Sequence, residues 1–445
     1  MLQKSRRHPS ALYLLCLVEG GERFAASAIL SLFALYLSQH RHFTDSASIM
    51  IVGGVLAGSY LANWPSGWLA DRWLGASRSA RLGALLLGLG YAALWTDAAA
   101  GLWVSLALLV VGQGLFRSAI TTLVGQLYAA DEAHREAGFG HFFMAVNLGY
   151  LAGPFCAEWM RARVGWHGVF GLAAAVLLLG LVLLVVGASS GQRTNVLVTS
   201  ESRTLPPHIE RSRVWALSVL SGVAVVFWSA LHQTNTSLPL FVEHHTQHHW
   251  ALLGFAGELA PGHFASLHGA LALAFTPMLV KALAWLRVRN LAPSTPAQFA
   301  WGLVVIAAAF ALMSAASLVG GDQGRVHLLW PVVCYALISL AEVLWGALGL
   351  ALIARLAPPR LASRMAGLWY ASMALGYLLA GGLGPLWQRW PHHRYFALLA
   401  LLCLAAAALL LASLRRLKLV EQRDITPCAV SQITITTIPP SAIRH

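Results

Sequence analysis

Glu19, Glu22 and Arg23 stand in the middle of an apolar stretch that runs from about residue 11 to 39, long enough to cross a bilayer. Ionisable side chains at that depth are costly; where they occur they face a bundle interior or a wet cavity and mark the path of an ion or a substrate. On a helix, Glu19 and Arg23 lie four apart on one face with Glu22 beside Arg23, so the cluster partly neutralises itself. A structural ion pair that only staples helices together needs one acid for one base. Two acids to one base leave a carboxylate able to take up a proton, and the chemistry these residues point to is proton binding.

The chain that must position this cluster has 445 residues, is 58% hydrophobic and 11% charged, and has a mean hydropathy of +0.66. That is the composition of a polytopic membrane protein. Apolar segments recur near 11–39, 46–70, 80–98, 101–127, 138–160, 166–188, 213–242, 264–286, 298–319, 326–355, 362–388 and 393–414, so twelve membrane-crossing helices are expected. The longest polar stretch, 189–212, reads as a linker. It divides a six-helix half at 1–188 from a second at 213–416, and 417–445 is left as a poorly ordered tail. With the amino terminus inside, 21 of the 30 Lys and Arg fall on the inner side and six on the outer. The positive-inside rule then places both termini and the linker in the cytoplasm.

The net charge of +13 does not mark a nucleic-acid binder, because the basic residues are scattered singly between apolar segments. Cys16, Cys156, Cys334, Cys403 and Cys428 show no CxxC spacing, so they read as small apolar fillers rather than as zinc ligands or a disulfide framework. The run His244-His245-Thr246-Gln247-His248-His249 holds two i, i+4 pairs if helical, a chelating spacing, but beside Glu243 in an outer loop it reads as solvated. Lys281, within a span near Arg287, snorkels to the interface. No GxxxxGK[ST] loop is present, so ATP is not the energy source and no cofactor is expected beyond the proton gradient. The expected partners are protons, lipid and a small solute, taken up by a monomer.

Two six-helix halves joined by a cytoplasmic linker are the layout of the major facilitator architecture, with substrate near the midplane between the halves. The loop Gly67-Trp68-Leu69-Ala70-Asp71-Arg72-Trp73-Leu74-Gly75, followed by Arg78 and Arg81, resembles that superfamily's first cytoplasmic signature. Glu19-Gly20-Gly21-Glu22-Arg23-Phe24 resembles the ExxERF motif of the proton-dependent oligopeptide transporter (POT) family. Gly114-Leu115-Phe116-Arg117, Phe142 to Gly149, Phe227-Trp228 with Gln233, Ala341-Glu342 and Met365 to Trp369 resemble further signatures of the same family. The resemblance implies a proton-coupled importer of di- and tripeptides, not an enzyme. Glu19, Glu22 and Arg23 then carry coupling, and Arg117 with Glu342 forms a cytoplasmic-side gate. Asn147, Trp228, His232, Gln233 and His268 shape the substrate site. Arg117 stands where the family has a lysine; arginine keeps the charge but does not release its proton, so the proton rides on Glu22, Glu19 or Glu342.

The departures bear on the substrate. After Phe24 the family has a tyrosine pair and an arginine that receives the peptide carboxylate and pairs with a seventh-span acid. Here the sequence continues Ala25-Ala26-Ser27-Ala28-Ile29-Leu30, and His232 stands at the acid's position. Losing both partners of a pair leaves no uncompensated charge, so the outer half of the cavity is redesigned and holds a free carboxylate poorly. His232 and His268 are the residues able to replace part of that chemistry, as titrating groups or as neutral hydrogen-bonding ones. The expected function is therefore proton-coupled transport of a small peptide-like or amphipathic solute across a bacterial inner membrane. An exporter of a peptide-derived metabolite such as a metallophore or antibiotic is the alternative. A non-transporting sensor or membrane enzyme built on His232 and His268 lacks a catalytic constellation.

Overall fold

The structure, a computed structural model, describes residues 9–96, 99–127, 132–187, 207–252, 255–289, 291, 293–321, 324–356 and 362–425. Most of the expected linker, the end of the tail and Cys428 lie outside them. Among the described residues, helices α1 (Ser10–Leu35), α2 (Asp45–Leu69), α3 (Ala76–Ala93), α4 (Ala99–Leu127), α5 (Glu132–Val164) and α6 (Trp166–Gly187) precede the linker. After it come α7 (Pro207–Leu231), α8 (Ser237–His245), α9 (Pro261–Val288), α10 (Thr295–Gly320), α11 (Leu329–Leu356), α12 (Ala362–Gly382), the short α13 (Gly384–Arg389) and α14 (His392–Ile425). A 3₁₀ turn at His232–Asn235 joins α7 to α8, and the two make one span, Glu210–His245. That leaves twelve long segments, the all-α fold expected from hydropathy.

In hydrocarbon every backbone N–H and C=O must be satisfied within the chain, and for these apolar segments the helix does it. Seven are long and apolar enough to cross a membrane by composition alone. α1 is not among them, because Glu19, Glu22 and Arg23 lower its hydropathy while pointing into the bundle. α7 begins at Pro207 and α14 runs on to Ile425, past the limits of 213 and 416 drawn from hydropathy. A hydropathy scan sees only the apolar part of a helix, and the polar turns of Pro207–Arg213 and Leu417–Ile425 extend it. Outside the helices, β1 (His249–Leu252) pairs antiparallel with β2 (Phe255–Glu258). The histidine run is thus divided between the end of α8 and β1, and its i, i+4 pairs do not share one helix.

In the first half α1 packs on α5 and α6, α3 on α4 and α6, and α2 on α4; in the second, α10 packs on α14 and α11, α12 on α7, and α9 on α11. The halves meet through α2 against α12 and α5 against α9. Call the face where α6 ends and α7 begins the linker face, and its opposite the far face. At the far face hydrogen bonds cross between the halves. Gln39 Nε2 donates to Glu243 Oε1 at 2.8 Å, the Gly262 amide to Glu158 Oε2 at 3.1 Å, and Trp387 Nε1 to Asp45 Oδ2 at 3.4 Å. On the same side a Cβ at Gly53 would lie 2.6 Å from Gly381 Cα, so only glycine allows α2 and α12 to approach this closely. Toward the linker face, no described residue of α9 beyond Ser266 is buried. These contacts join the halves at the far face.

Candidate functional site

The charged turn of α1 is held against α5 by small residues. A Cβ at Gly149 would lie 2.8 Å from Arg23 Cβ and overlap the Gly20 carbonyl, and one at Gly153 would strike the Phe24 carbonyl and Ser27 Oγ. Ser27 Oγ donates to the Gly149 carbonyl at 3.2 Å. This small-x₃-small stripe lets the backbones touch and buries Glu19, Glu22 and Arg23 to 6%, 1% and 4% exposure. Arg23 Nε lies 3.1 Å from Glu19 Oε1, its Nη2 touches Glu22 Oε2, and its Nη1 donates to Tyr150 Oη at 3.3 Å. Glu19 Oε2 and Glu22 Oε1 have no hydrogen-bond partner. Arg117 on α4 is close enough to interact electrostatically with both acids, so the set holds two acids and two bases.

From Arg117 an aromatic column crosses between the halves. The guanidinium sits 4.8 Å from the Tyr60 ring centroid, Tyr60 stacks on Tyr377 at 5.3 Å, and Tyr377 stacks face to face on His232. His232 in turn stacks on Trp228 at 5.8 Å, and Trp228 meets Trp369 edge-on. His232 occupies the 3₁₀ turn where the seventh span breaks, the kind of helix interruption that lines transport sites. Its Nε2 and the Trp228 Nε1 are buried without hydrogen-bond partners. Trp369 is anchored by Trp345, whose Nε1 donates to the Phe299 carbonyl at 2.9 Å.

A third group lies in the second half. His268 Nε2 is 3.0 Å from Glu342 Oε2, and His268 Nδ1 is 2.7 Å from Ser339 Oγ. Among the described residues Arg117 and Glu342, the expected gate, make no ion pair; Glu342 is held by His268 and Arg117 faces Tyr60. Gln233 is fully buried and faces away from the opening between the halves. Its Oε1 accepts from Tyr395 Oη at 2.8 Å and Ser237 Oγ at 2.6 Å, and its Nε2 donates to the Ser229 carbonyl. Asn147 donates to the Phe143 carbonyl of its own helix at 2.8 Å. Trp228, His232 and His268 thus stand near the interface between the halves, whereas Gln233 and Asn147 are engaged locally.

A sequence profile of the Major Facilitator Superfamily matches residues 15–381. The peptide transporter YePEPT of Yersinia enterocolitica subsp. palearctica serotype O:3 (strain YE-P4) is 29% identical, covering 85% of this chain and 88% of its own. Dipeptide and tripeptide permease A of Edwardsiella piscicida is 28% identical over 85% and 86%. A solved peptide transporter POT in complex with alafosfalin superposes with a TM-score of 0.83 at 25% identity, covering 94% of this chain and 97% of that one. The chain belongs to the major facilitator superfamily. A POT family transporter in complex with 5-aminolevulinic acid has the same fold at 23% identity, with a TM-score of 0.84. As a member of this superfamily the protein is a membrane transporter and not an enzyme.

Sequence reasoning passed over Tyr60, Tyr150, Glu158, Ser339 and Tyr377 in this transporter. Glu158 carried a signal: an acid inside an apolar segment, the feature that singled out Glu19 and Glu22. The tyrosines carried none, because aromatic residues in membrane helices are just as common at the lipid interface.

Proposed function

We propose that the protein is a proton-coupled secondary transporter of a small peptide-like or amphipathic solute, working by alternating access in a bacterial inner membrane with both termini in the cytoplasm. The carrying observation is the buried Glu19–Glu22–Arg23 cluster, wedged by Gly149 and Gly153 beside the opening between the halves. A proton on either free carboxylate oxygen breaks the balance of two acids and two bases. The resulting positive charge on Arg23 and Arg117 favours a carbonyl or other acceptor group of the cargo, which ties proton loading to cargo loading. The aromatic column and the unpartnered Trp228 and His232 nitrogens favour a flat, carbonyl-rich cargo. The similar proteins named for di- and tripeptide transport support the peptide-like class.

Leu30 and His232 leave this side of the column without the charge pair expected from the family resemblance, so cargo with a blocked or absent carboxylate is favoured over a free dipeptide. The test is accumulation of di- and tripeptides and terminally blocked amides in proteoliposomes with an acid exterior. Glu22→Gln is expected to lower gradient-driven accumulation while leaving exchange of cargo intact. Undiminished accumulation by Glu22→Gln overturns the assignment of coupling.

A further inference from the structure

The His268, Ser339 and Glu342 constellation has a property that follows from its hydrogen-bond directions. Ser339 Oγ has one proton and three neighbours: the Tyr335 carbonyl at 2.7 Å, the His268 carbonyl at 3.2 Å and His268 Nδ1 at 2.7 Å. Its proton goes to a carbonyl, the usual i−4 bond of serine in a membrane helix. Oγ is therefore an acceptor toward the ring, and Nδ1 must be the nitrogen that carries hydrogen. The other nitrogen, Nε2, lies 3.0 Å from Glu342 Oε2. With a neutral ring and an ionised carboxylate, that contact sets two lone pairs against each other and cannot persist. With one added proton, placed on Nε2 or on Oε2, it becomes a strong hydrogen bond.

We propose that His268 and Glu342, with Ser339 fixing the ring's tautomer, form a binding site for a single proton in the second half, distinct from the α1 cluster. The proposal rests on the reading of the protein as proton-coupled and adds to it where a second proton resides. The Glu342 side chain is 36% exposed and that of His268 18%, so the pair is accessible from outside the bundle core while Ser339 stays fully buried. Losing the proton frees Glu342 from His268 and makes it available to Arg117, so proton release and closure of the linker face are one event. Ser339 is a positioning residue and no nucleophile, since it has no exposure and its hydrogen is held by carbonyls.

The ionisable groups around the pair do not compete for that proton. Tyr335 of α11 presents its ring 6.3 Å from the imidazole, and His232 of the 3₁₀ turn after α7 interacts with it electrostatically, with no ion pair or hydrogen bond between them among the described residues. On α5, Tyr150 is bonded to Arg23 and Glu158 to Arg161 and the start of α9. On α1, Glu19 and Glu22 are engaged with Arg23; on α8, Glu243 is held by Gln39. Lys281 lies more than three turns further along α9 and is exposed.

The experiment uses the reconstituted full chain, with cargo-evoked proton uptake and the pH profile of cargo exchange as readouts. His268→Gln still donates to Glu342 but binds no proton. It is expected to lower the proton-to-cargo ratio by one and to flatten the pH profile of exchange. Ser339→Ala frees the ring to donate from Nε2 without an added proton, and is expected to flatten the profile in the same way, while Ser339→Thr restores it. Folding is checked by melting temperature. Wild-type protein that moves cargo without protons overturns the coupled reading itself. Wild-type protein that couples protons, beside a His268→Gln variant with unchanged ratio and profile, overturns the second site alone.

Discussion

Removing the Glu158 carboxylate should release the far face. Glu158 is 4% exposed on α5, and its Oε2 accepts the Gly262 amide at 3.1 Å, the first turn of α9 in the other half. An anion at a helix amino terminus gains from the amide dipoles as well as from the hydrogen bond. A hydrogen bond to a charged group is worth about 1.5–3 kcal/mol, and each ~1.4 kcal/mol is a factor of ten in population. Glu158→Ala should therefore shift the ratio of far-face-closed to far-face-open molecules by about 10- to 150-fold. Arg161, at 22% side-chain exposure and 2.6 Å from Glu158 Oε1, loses its partner but keeps water, so it adds little. Glu158→Gln keeps a neutral bond worth ~1 kcal/mol, so it should lose only about 0.5–2 kcal/mol and move the ratio about two- to thirtyfold. Nitroxide labels at the exposed positions Arg163 and Glu258 flank this contact, and their separation in nanodiscs can be measured by double electron–electron resonance. A longer distance should grow in with Glu158→Ala. Distance distributions that match wild type would refute the idea that this bond holds the far face shut.

Three further perturbations separate packing from function. Gly153→Val places its Cβ on the Phe24 carbonyl and Ser27 Oγ; overpacking of this kind costs about 1–3 kcal/mol, and both the melting temperature and transport should fall, where a wild-type melting temperature would count against the α1–α5 wedge. Tyr377→Ala breaks the stacks with His232 and Tyr60; at about 0.5–1.5 kcal/mol for each of the two aromatic pairs, cargo affinity should drop about five- to 150-fold, Tyr377→Phe should bind as wild type, and equal loss in both variants would show that the phenol and not the stack matters. Gln233→Leu strands the Tyr395 hydroxyl and should cost about 1–3 kcal/mol of stability with no change in the pH profile of exchange; an altered profile would place Gln233 in the transport site after all.

The twelve spans were legible because a membrane forces apolar segments into helices. The ends were not: Pro207–Arg213 and the turns up to Ile425 are helical but polar, and hydropathy does not distinguish a polar helix end from a linker. The α1 cluster could be found because charge in an apolar run is conspicuous. Glu342 and Arg117 were found by resemblance, yet their partners, His268 and Tyr60, are fixed by which conformation the halves adopt, which sequence does not encode. Gln233 looked like a lining residue because a polar side chain in a span must bond something; only the packing of α7 against α14 reveals that its partner is Tyr395. The β1–β2 hairpin hid inside a histidine run whose spacing drew attention to metal instead.

The central claim is that acids buried between the halves exchange protons as the halves rock. It is tested most directly by trapping a pH indicator inside proteoliposomes and adding cargo outside, for wild type and for Glu19→Gln/Glu22→Gln. The account predicts acidification of the lumen with wild type and at least one proton fewer per cargo with the double variant, which should still exchange cargo. Equal acidification by both proteins would contradict it.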